Sequence, residues 1–260
     1  MELFYRKFGN EGDQAVIILH GLFGISDNWV TYGKDLADKG YEVFIPDQRN
    51  HGRSEHSDDF NYLALTNDLF DFIDAEEIEN PILIGHSMGG KVAMRFAVSY
   101  PELVKKLIVV DIAPREYGPR KHHLSIIKTM LAVDLNNVKS RTDVSTFLKK
   151  GIADERIRQF ILKNLYRKNK NEFEWRINLG AISDNLEKMF DSIQENKAYK
   201  GPVLFIKGGN SDYILSADYK DIYTFFPYAE IVTVEGATHW VHADEPDEFQ
   251  QLTYQFLQQE

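Results

Sequence analysis

The sequence predicts an α/β protein with a mostly parallel central sheet and helices on both faces. Six short apolar runs recur along the 260 residues, and helix-like segments separate them. The runs are almost continuously apolar, which is typical of strands that are covered on both faces. The six predicted parallel strands are 15–19, 42–45, 81–84, 107–110, 203–206 and 231–234.

One further strand is predicted ahead of this series. Residues 3–8 form a short β-type segment, and the turn-like residues 9–13 follow it. Glycine and asparagine at such a turn favour a reversal of the chain. We therefore expect an antiparallel edge hairpin before the first parallel strand.

The strand pattern is interrupted once, between Val110 and Val203. Only helix-like stretches occur there, at 124–135, 144–151, 155–166 and 186–193. We predict a single domain with a core of residues 1–113 and 200–260 and a helical lid of residues 114–199. The lid follows the strand that ends near Asp111, at the carboxyl edge of the sheet where ligands bind in open α/β folds. Its aromatic side chains either line an apolar cavity or pack the lid itself; they are Phe147, Phe160, Tyr166, Phe173, Trp175 and Phe190.

The most informative motif is Gly85-His86-Ser87-Met88-Gly89. It lies between the predicted strand 81–84 and a helical pattern at 91–97. Glycines two positions before and after the serine avoid collisions with the adjoining strand and helix, and the turn leaves the hydroxyl exposed. The motif in this context predicts that Ser87 is a nucleophile.

A serine hydroxyl needs a base, and His239 is the candidate. It follows the last predicted strand on a loop that can return over the carboxyl edge of the sheet. The other post-strand histidines, His20, His51 and His86, are predicted to hold their own loops instead.

Two backbone amides are candidates for an oxyanion hole. Leu22 lies in the loop after the first parallel strand, and Met88 directly follows the predicted nucleophile. Paired amides at these two places can stabilise the oxyanion of a tetrahedral intermediate.

The acid that orients His239 has two candidates. Asp111 ends the strand 107–110, and Asp212 lies just beyond the strand 203–206. Both can face the same edge of the sheet, and a buried carboxylate there requires a charged partner such as an imidazolium. We prefer Asp111 and keep Asp212 as the alternative.

With these motifs, the chain resembles the α/β-hydrolase superfamily and, within it, the small bacterial esterases called YbfF-like and their mitochondrial relatives. The matching pieces span almost the whole chain: residues 20–24, 27–29, 47, 49–54, 85–91, 111–114, 208–211 and 236–243. The resemblance implies Ser87 as nucleophile, His239 as base and Asp111 as acid. It also implies hydrolysis of carboxylic esters or acyl thioesters, including acyl-CoA, without a metal or organic cofactor.

The composition narrows the classes of partner. A formal net charge of −10 argues against a general nucleic-acid or anionic-membrane binder. Arg115, Arg120, Lys121, His122 and His123 form the one basic segment, which is either a solvated loop or an attraction for an anionic part of a substrate. The absence of cysteine excludes disulfides and thiolate metal sites. Without a signal-peptide core or a membrane-spanning stretch, the sequence predicts a soluble cytoplasmic protein.

The resulting hypothesis is a serine esterase or thioesterase that acts through an acyl-enzyme on a small-molecule substrate. Carbon–carbon bond hydrolases, perhydrolases and lyases use similar serine sites, and a non-catalytic ligand receptor is a further alternative. Ser87 argues against dehalogenases and epoxide hydrolases, which carry aspartate at this turn. The residues 20–24 lack the glycine spacing of a dinucleotide-binding oxidoreductase.

Overall fold

The computed structural model describes residues 1–118, 121–170, 172–195 and 197–259. Its strands are β1 (Tyr5–Phe8), β2 (Gln14–Leu19), β3 (Tyr41–Pro46), β4 (Ile82–His86), β5 (Lys106–Val110), β6 (Leu165–Asn169), β7 (Glu172–Trp175), β8 (Val203–Gly208) and β9 (Ala229–Val234). Its helices are α1 (Val30–Ala37), α2 (Tyr62–Ala75), α3 (Met88–Ser99), α4 (Lys121–Leu131), α5 (Arg141–Leu148), α6 (Glu155–Leu162), α7 (Leu179–Asp184), α8 (Tyr219–Phe225), α9 (Val241–Asp244) and α10 (Pro246–Gln258).

A central sheet organises the molecule. Its described strands follow the order β1-β3-β2-β4-β5-β8-β9, and all neighbouring pairs are parallel except β1 with β3. Because the strands from β2 onward are parallel, their carboxyl ends meet at one edge, where the loops that carry functional side chains converge. The predicted α/β fold class with a mostly parallel sheet is confirmed.

Two apolar cores lie on opposite faces of the sheet. Alternate residues of one strand enter different cores, as Val16 and Ile17 of β2 illustrate. One core includes residues of α2 and α3, and the other includes residues of α1 and α10. Helices therefore cover both faces, which explains why the strands lack an alternating polar pattern.

The first strand differs from its prediction. It is an antiparallel edge strand, as expected, but its partner is β3, so the predicted hairpin with β2 is wrong. β2 already pairs with β3 on one side and β4 on the other, and neither edge is left for β1.

The segment between β5 and β8 is not entirely helical. It contains α4 to α7, but also the hairpin of β6 and β7, which the sequence did not predict. Leu165 and Tyr166 belong to β6, although the helical pattern extended to residue 166, and 186–193 holds a 3₁₀ turn at Leu186–Phe190 instead of an α-helix.

Contacts between charged and aromatic side chains explain why the hairpin of β6 and β7 was not predicted from the sequence. Glu174 of β7 accepts a hydrogen bond from Tyr166 and forms an ion pair with Lys168. The guanidinium of Arg167 lies 4.6 Å from the ring centre of Phe173. These cross-strand pairs stabilise a hairpin without the apolar run by which the other strands were recognised.

The inserted segment packs directly on the sheet domain. Its buried residues Val144, Leu148, Ile161 and Ile182 belong to the same apolar cluster as α2 and α3. Asn164 donates a hydrogen bond to the carbonyl oxygen of Phe23, 2.8 Å away. Among the described residues, no helix combines the length and the apolar composition required to cross a membrane.

Candidate active site

Ser87 occupies a strained turn between β4 and α3. Its backbone lies at φ 53° and ψ −117°, a conformation that residues with a side chain rarely adopt. A side chain at Gly85 would collide with the backbone of Gly89, and one at Gly89 would collide with the backbone of Leu19 in β2. The two glycines therefore permit the close packing of strand, turn and helix that presents the Ser87 hydroxyl.

His239 reaches Ser87 from the loop after β9. Its Nε2 lies 3.0 Å from Ser87 Oγ, and its Nδ1 lies 2.8 Å from Asp111 Oδ2. The side chain of His239 is 16% exposed, whereas that of Asp111 is fully buried. The structure thus brings a hydroxyl, an imidazole and a carboxylate into one hydrogen-bonded chain.

Asp111 follows β5 directly and is held from several sides. Its backbone has φ 50°, so Asp111, like Ser87, is a non-glycine residue in the left-handed region. Oδ1 accepts a hydrogen bond from the Gly208 amide at 3.0 Å, and Oδ2 accepts one from Ser211 as well as facing His239. These donors compensate the burial of the carboxylate and fix its orientation.

The alternative acid, Asp212, has an exposed side chain in the loop after β8. In that loop Ser211, one residue earlier, is the side chain that bonds to Asp111. The structure therefore places Asp111 beside His239. The loop that contains Asp212 contacts Asp111 through Ser211 instead.

Sequence reasoning missed two residues of this group. Ser211 lies within a matched piece of the sequence, but no role was predicted for it. Tyr213 stacks its ring on the imidazole of His239, with centroids 3.7 Å apart and planes 14° from parallel. Its amide also donates to Ser211 Oγ at 3.2 Å. The proximity of both residues to Asp212 in the sequence was the available signal.

His20 and His51 hold the loop that carries Leu22. His20 Nε2 accepts from the Gln48 amide at 3.0 Å, and His51 Nε2 accepts from the Phe23 amide at 3.2 Å. Burial lowers the pKa of His20 to about 4 and that of His51 to about 3. Both are therefore neutral acceptors at physiological pH.

His86 connects the Ser87 turn to the His239 loop. Its Nε2 lies 2.9 Å from the carbonyl oxygen of His239, to which it donates. Burial, with the neighbouring rings of His239 and His242, holds the pKa of His86 well below its usual value. The predicted loop-holding positions of His20, His51 and His86 match these contacts.

Leu22 and Met88, the predicted oxyanion residues, border one cavity together with Ser87. Met88 is the first residue of α3, where backbone amides point out of the helix without an intrahelical acceptor. Leu22 and Met88 both line a small cavity of about 30 Å³ that Ser87 also borders. Both predicted oxyanion residues therefore lie close to Ser87.

A larger cavity of about 250 Å³ opens above Ser87. It is lined mainly by apolar and aromatic side chains from the loop after β2, from α4 and from α6. Ile126, Ile157 and Phe160 of the inserted segment form part of its wall. The site can therefore hold a small apolar group next to the hydroxyl.

Of the six aromatic residues predicted for the lid, two reach these cavities. Phe160 lines the cavity of about 250 Å³, and Phe190 lines the small one. Phe173 is buried in the apolar core, and Phe147 and Trp175 pack against it. Tyr166 contacts Glu174 within the hairpin.

The basic segment is divided in the structure. Arg115 forms an ion pair with Asp218 at 2.7 Å, Lys121 is exposed, and His122 and His123 line the cavity above Ser87. Arg120 lies outside the described residues. Within the described part of the chain, no group of three or more His, Asp or Glu residues could hold a metal ion.

Comparisons with known proteins agree with the observed fold. A family model for the alpha/beta hydrolase fold matches residues 14–246. The chain is 39% identical to sn-1-specific diacylglycerol lipase ABHD11 of Danio rerio, with 99% of this chain and 83% of the relative covered. It is 34% identical to esterase YbfF of Escherichia coli (strain K12), with 90% and 89% covered. A solved structure of a marine microorganism esterase matches with a TM-score of 0.95 at 42% identity and covers 98% of this chain and 99% of its own.

Proposed function

The chain belongs to the alpha/beta hydrolase fold family, and from this premise we propose that it is a serine hydrolase that cleaves carboxylic esters. The observation that carries the proposal is the continuous contact from Ser87 Oγ through His239 to Asp111. Relatives named as esterases and lipases support an ester as the substrate. Acyl thioesters, including acyl-CoA, remain within the proposed reaction class because the same attack on an acyl carbonyl cleaves them.

In the first half of the reaction, Ser87 Oγ attacks the acyl carbon. His239 Nε2 lies within hydrogen-bond distance and takes the hydroxyl proton as the new bond forms. His239 then gives that proton to the leaving oxygen or sulfur, and an acyl-enzyme results. The same atoms run in reverse when water attacks the acyl-enzyme and releases the acid.

Asp111 stabilises the imidazolium that forms in each half. Its Oδ2 faces His239 Nδ1, so the Nδ1 proton is held there and Nε2 stays free to accept. Because Gly208 donates to Oδ1 and Ser211 donates to Oδ2, the carboxylate is held in the orientation that faces the imidazole. Tyr213 stacks its ring on the same imidazole and so helps to hold the plane of His239 between Ser87 and Asp111.

The amides of Leu22 and Met88 are the proposed oxyanion donors. Their support is the position of Met88 at the start of α3 and the network of His20 and His51 that fixes the Leu22 loop. Donors held in advance at the oxyanion need no reorganisation during the reaction, and one such donor contributes about 10²–10³ in rate.

We also propose that residues 114–199 act as a lid (cap) on a core of residues 1–113 and 200–260. Ile126, Ile157 and Phe160 support this role because they close the cavity above Ser87 from the inserted side. Such a cover keeps water away from the polar contacts of the site and thereby strengthens them.

The test is hydrolysis of p-nitrophenyl butyrate and a panel of acyl-CoA thioesters by the wild type and Ser87→Ala. We expect kcat/KM to fall by at least ~10³ in Ser87→Ala and to stay within about twofold in the exposed control Ser216→Ala. A fluorophosphonate should label the wild type at Ser87 only. Labelling without turnover of any ester would point to a lyase or a receptor, and equal turnover in Ser87→Ala would remove the serine from the mechanism.

A further inference from the structure

A second and larger cavity adjoins the cavity above Ser87. It has a volume of about 720 Å³ and lies between α1, α6 and the segment of α9 and α10. The first cavity, at about 250 Å³, is smaller than the ~300–1,000 Å³ of pockets that enclose a complete small-molecule ligand, whereas the second falls within that range. A substrate with a long apolar part must therefore extend out of the first cavity.

The two cavities share a wall. Ile157, Phe160 and Trp240 line both of them. The rings of Phe160 and Trp240 meet edge to face with centroids 6.2 Å apart, and all three side chains are only half-buried. Because these side chains are not fully packed, a change of their rotamers would open a passage between the two cavities for a flexible chain.

The position of this wall indicates which part of a substrate passes it. Trp240 directly follows His239, whose Nε2 returns the proton to the leaving oxygen. The leaving alcohol therefore starts on the His239 side of Ser87, next to Trp240. The other cavity that Ser87 borders, which Leu22 and Met88 also line, measures only about 30 Å³ and offers little room for a long chain.

The lining of the second cavity favours an uncharged occupant. Trp29, Tyr32 and Phe249 lie at its base, and Ile157, Phe160 and Trp240 add apolar surface beside the polar side chains of the lining. Burial of an apolar group against such a surface is favourable, whereas a strongly hydrated group would lose water there without gaining enough hydrogen bonds in return.

The charges of the described lining balance one another. Glu155 and Asp244 oppose Arg156 and Lys163, and Arg156 is ion-paired with Asp244 at 3.0 Å. Burial lowers the pKa of His242 to about 3, so this imidazole adds no charge at neutral pH. A leaving group with several phosphates, such as coenzyme A, finds no excess of positive charge here.

We propose that the second cavity binds the apolar chain of the leaving alcohol, so that the protein selects esters of long-chain alcohols over acyl-CoA. This inference rests on the proposed ester hydrolysis. In the step concerned, the bond between the acyl carbon and the alkoxy oxygen breaks, the oxygen takes the proton from His239, and the alcohol leaves through the second cavity. Water then supplies the hydroxyl of the released acid and the proton that restores Ser87.

The test uses butyrate esters in which only the alcohol changes, from ethanol to octanol. Each CH₂ that becomes buried can raise kcat/KM by up to about fourfold, so we expect octyl butyrate to exceed ethyl butyrate by at least about tenfold. Butyryl-CoA should have a lower kcat/KM than octyl butyrate. A flat alcohol series, or a preference for butyryl-CoA, would overturn the assignment.

Variants that fill the second cavity provide the matched test. Ala243 and Gln159 line it at exposed positions, so Ala243→Phe and Gln159→Trp add rings that occupy its space. Each should lower the octyl-to-ethyl ratio of kcat/KM at least fivefold. The control Ala217→Phe adds the same ring at an exposed position on another turn and should leave that ratio as in the wild type. An unchanged ratio in both filled variants contradicts the proposal.

Binding of 1-octanol to Ser87→Ala separates this inference from the proposed function. Calorimetry should detect saturable binding of 1-octanol to Ser87→Ala. Adding Ala243→Phe to that variant should weaken the binding at least fivefold. Neither measurement depends on ester turnover. Ester hydrolysis that depends on Ser87 without such octanol binding would leave the hydrolase in place and remove the second site. If octanol bound but the wild type hydrolysed no ester, the second site would remain and the proposed ester hydrolysis would be wrong.

Discussion

Replacement of Asp111 by asparagine tests the arrangement of the site most directly. The side chain keeps its size, so the change affects only charge and hydrogen-bonding pattern. Asp111 is fully buried and accepts from Gly208, Ser211 and His239. An asparagine has one acceptor oxygen and one donor nitrogen to offer to the same set.

Neither orientation of the substituted amide keeps both the hydrogen bond from Gly208 and the tautomer of His239 that accepts at Nε2. With its oxygen toward the Gly208 amide, its NH₂ group faces His239 Nδ1 and makes that nitrogen the acceptor. His239 Nε2 then carries the proton and cannot accept one from Ser87. With the amide reversed, two N–H donors face each other at Gly208, which costs about 1–3 kcal/mol for a buried unpaired group.

The first orientation is therefore favoured, and it disables the base. Loss of the correct tautomer and of the charge that stabilises the imidazolium costs about 10⁴ in kcat when the equivalent acid of a serine protease is replaced in this way. We expect a loss of about 10³–10⁴ here, equivalent to about 4–5.5 kcal/mol of transition-state stabilisation. Folding should persist because the replacement is isosteric.

The assay is kcat/KM for p-nitrophenyl butyrate, with circular dichroism as the control for folding. Asp212→Asn is the matched variant, because Asp212 is the exposed carboxylate of the neighbouring loop, and it should change kcat/KM less than threefold. If Asp212→Asn lost more activity than Asp111→Asn, the acid would have to be reassigned and the reasoning from buried contacts would be refuted.

Three further results are expected. Tyr213→Leu removes the ring stacked on His239 and should lower kcat/KM about twofold to tenfold, whereas Tyr213→Phe keeps the ring and should retain activity; equal losses would contradict a stacking role. Gly89→Ala places a methyl group against a backbone carbonyl of β2 and should lower the free energy of unfolding by about 1–3 kcal/mol in a urea titration. The control Gly180→Ala adds a methyl group at an open helical position and should not destabilise the protein in the same titration. Burial lowers the pKa of Lys91 to about 7 from its ordinary value of 10.5. Between these two values the unfolded chain binds more protons than the folded chain, so the free energy of unfolding should rise with pH. Lys91→Met should flatten this rise, and an identical slope in the variant would contradict the role of Lys91.

Local sequence determined the framework of this protein. Each parallel strand is recognisable because burial on both faces requires a continuous apolar run, and this requirement acts within a few neighbouring residues. The turn at Ser87 could likewise be predicted from sequence, since Gly85 and Gly89 avoid collisions that a side chain would make with the backbone of adjacent elements. His239 could be chosen because the end of β9 fixes where its loop begins.

Tertiary structure decided the features that depend on partners far away in the chain. β1 pairs with β3 because β2 has no free edge, and no local pattern in residues 3–13 contains that information. The hairpin of β6 and β7 is stabilised by cross-strand pairs of charged and aromatic groups, which only its register reveals.

The choice between Asp111 and Asp212 has the same origin. Both aspartates follow strands that end at the same edge of the sheet, so their positions along the chain do not separate them. The path of the loop after β8 turns Ser211 toward Asp111 and leaves Asp212 exposed. Side-chain direction in a loop is set by long-range packing and hydrogen bonds, and for that reason the sequence could name the candidates while only the folded chain placed one of them against His239.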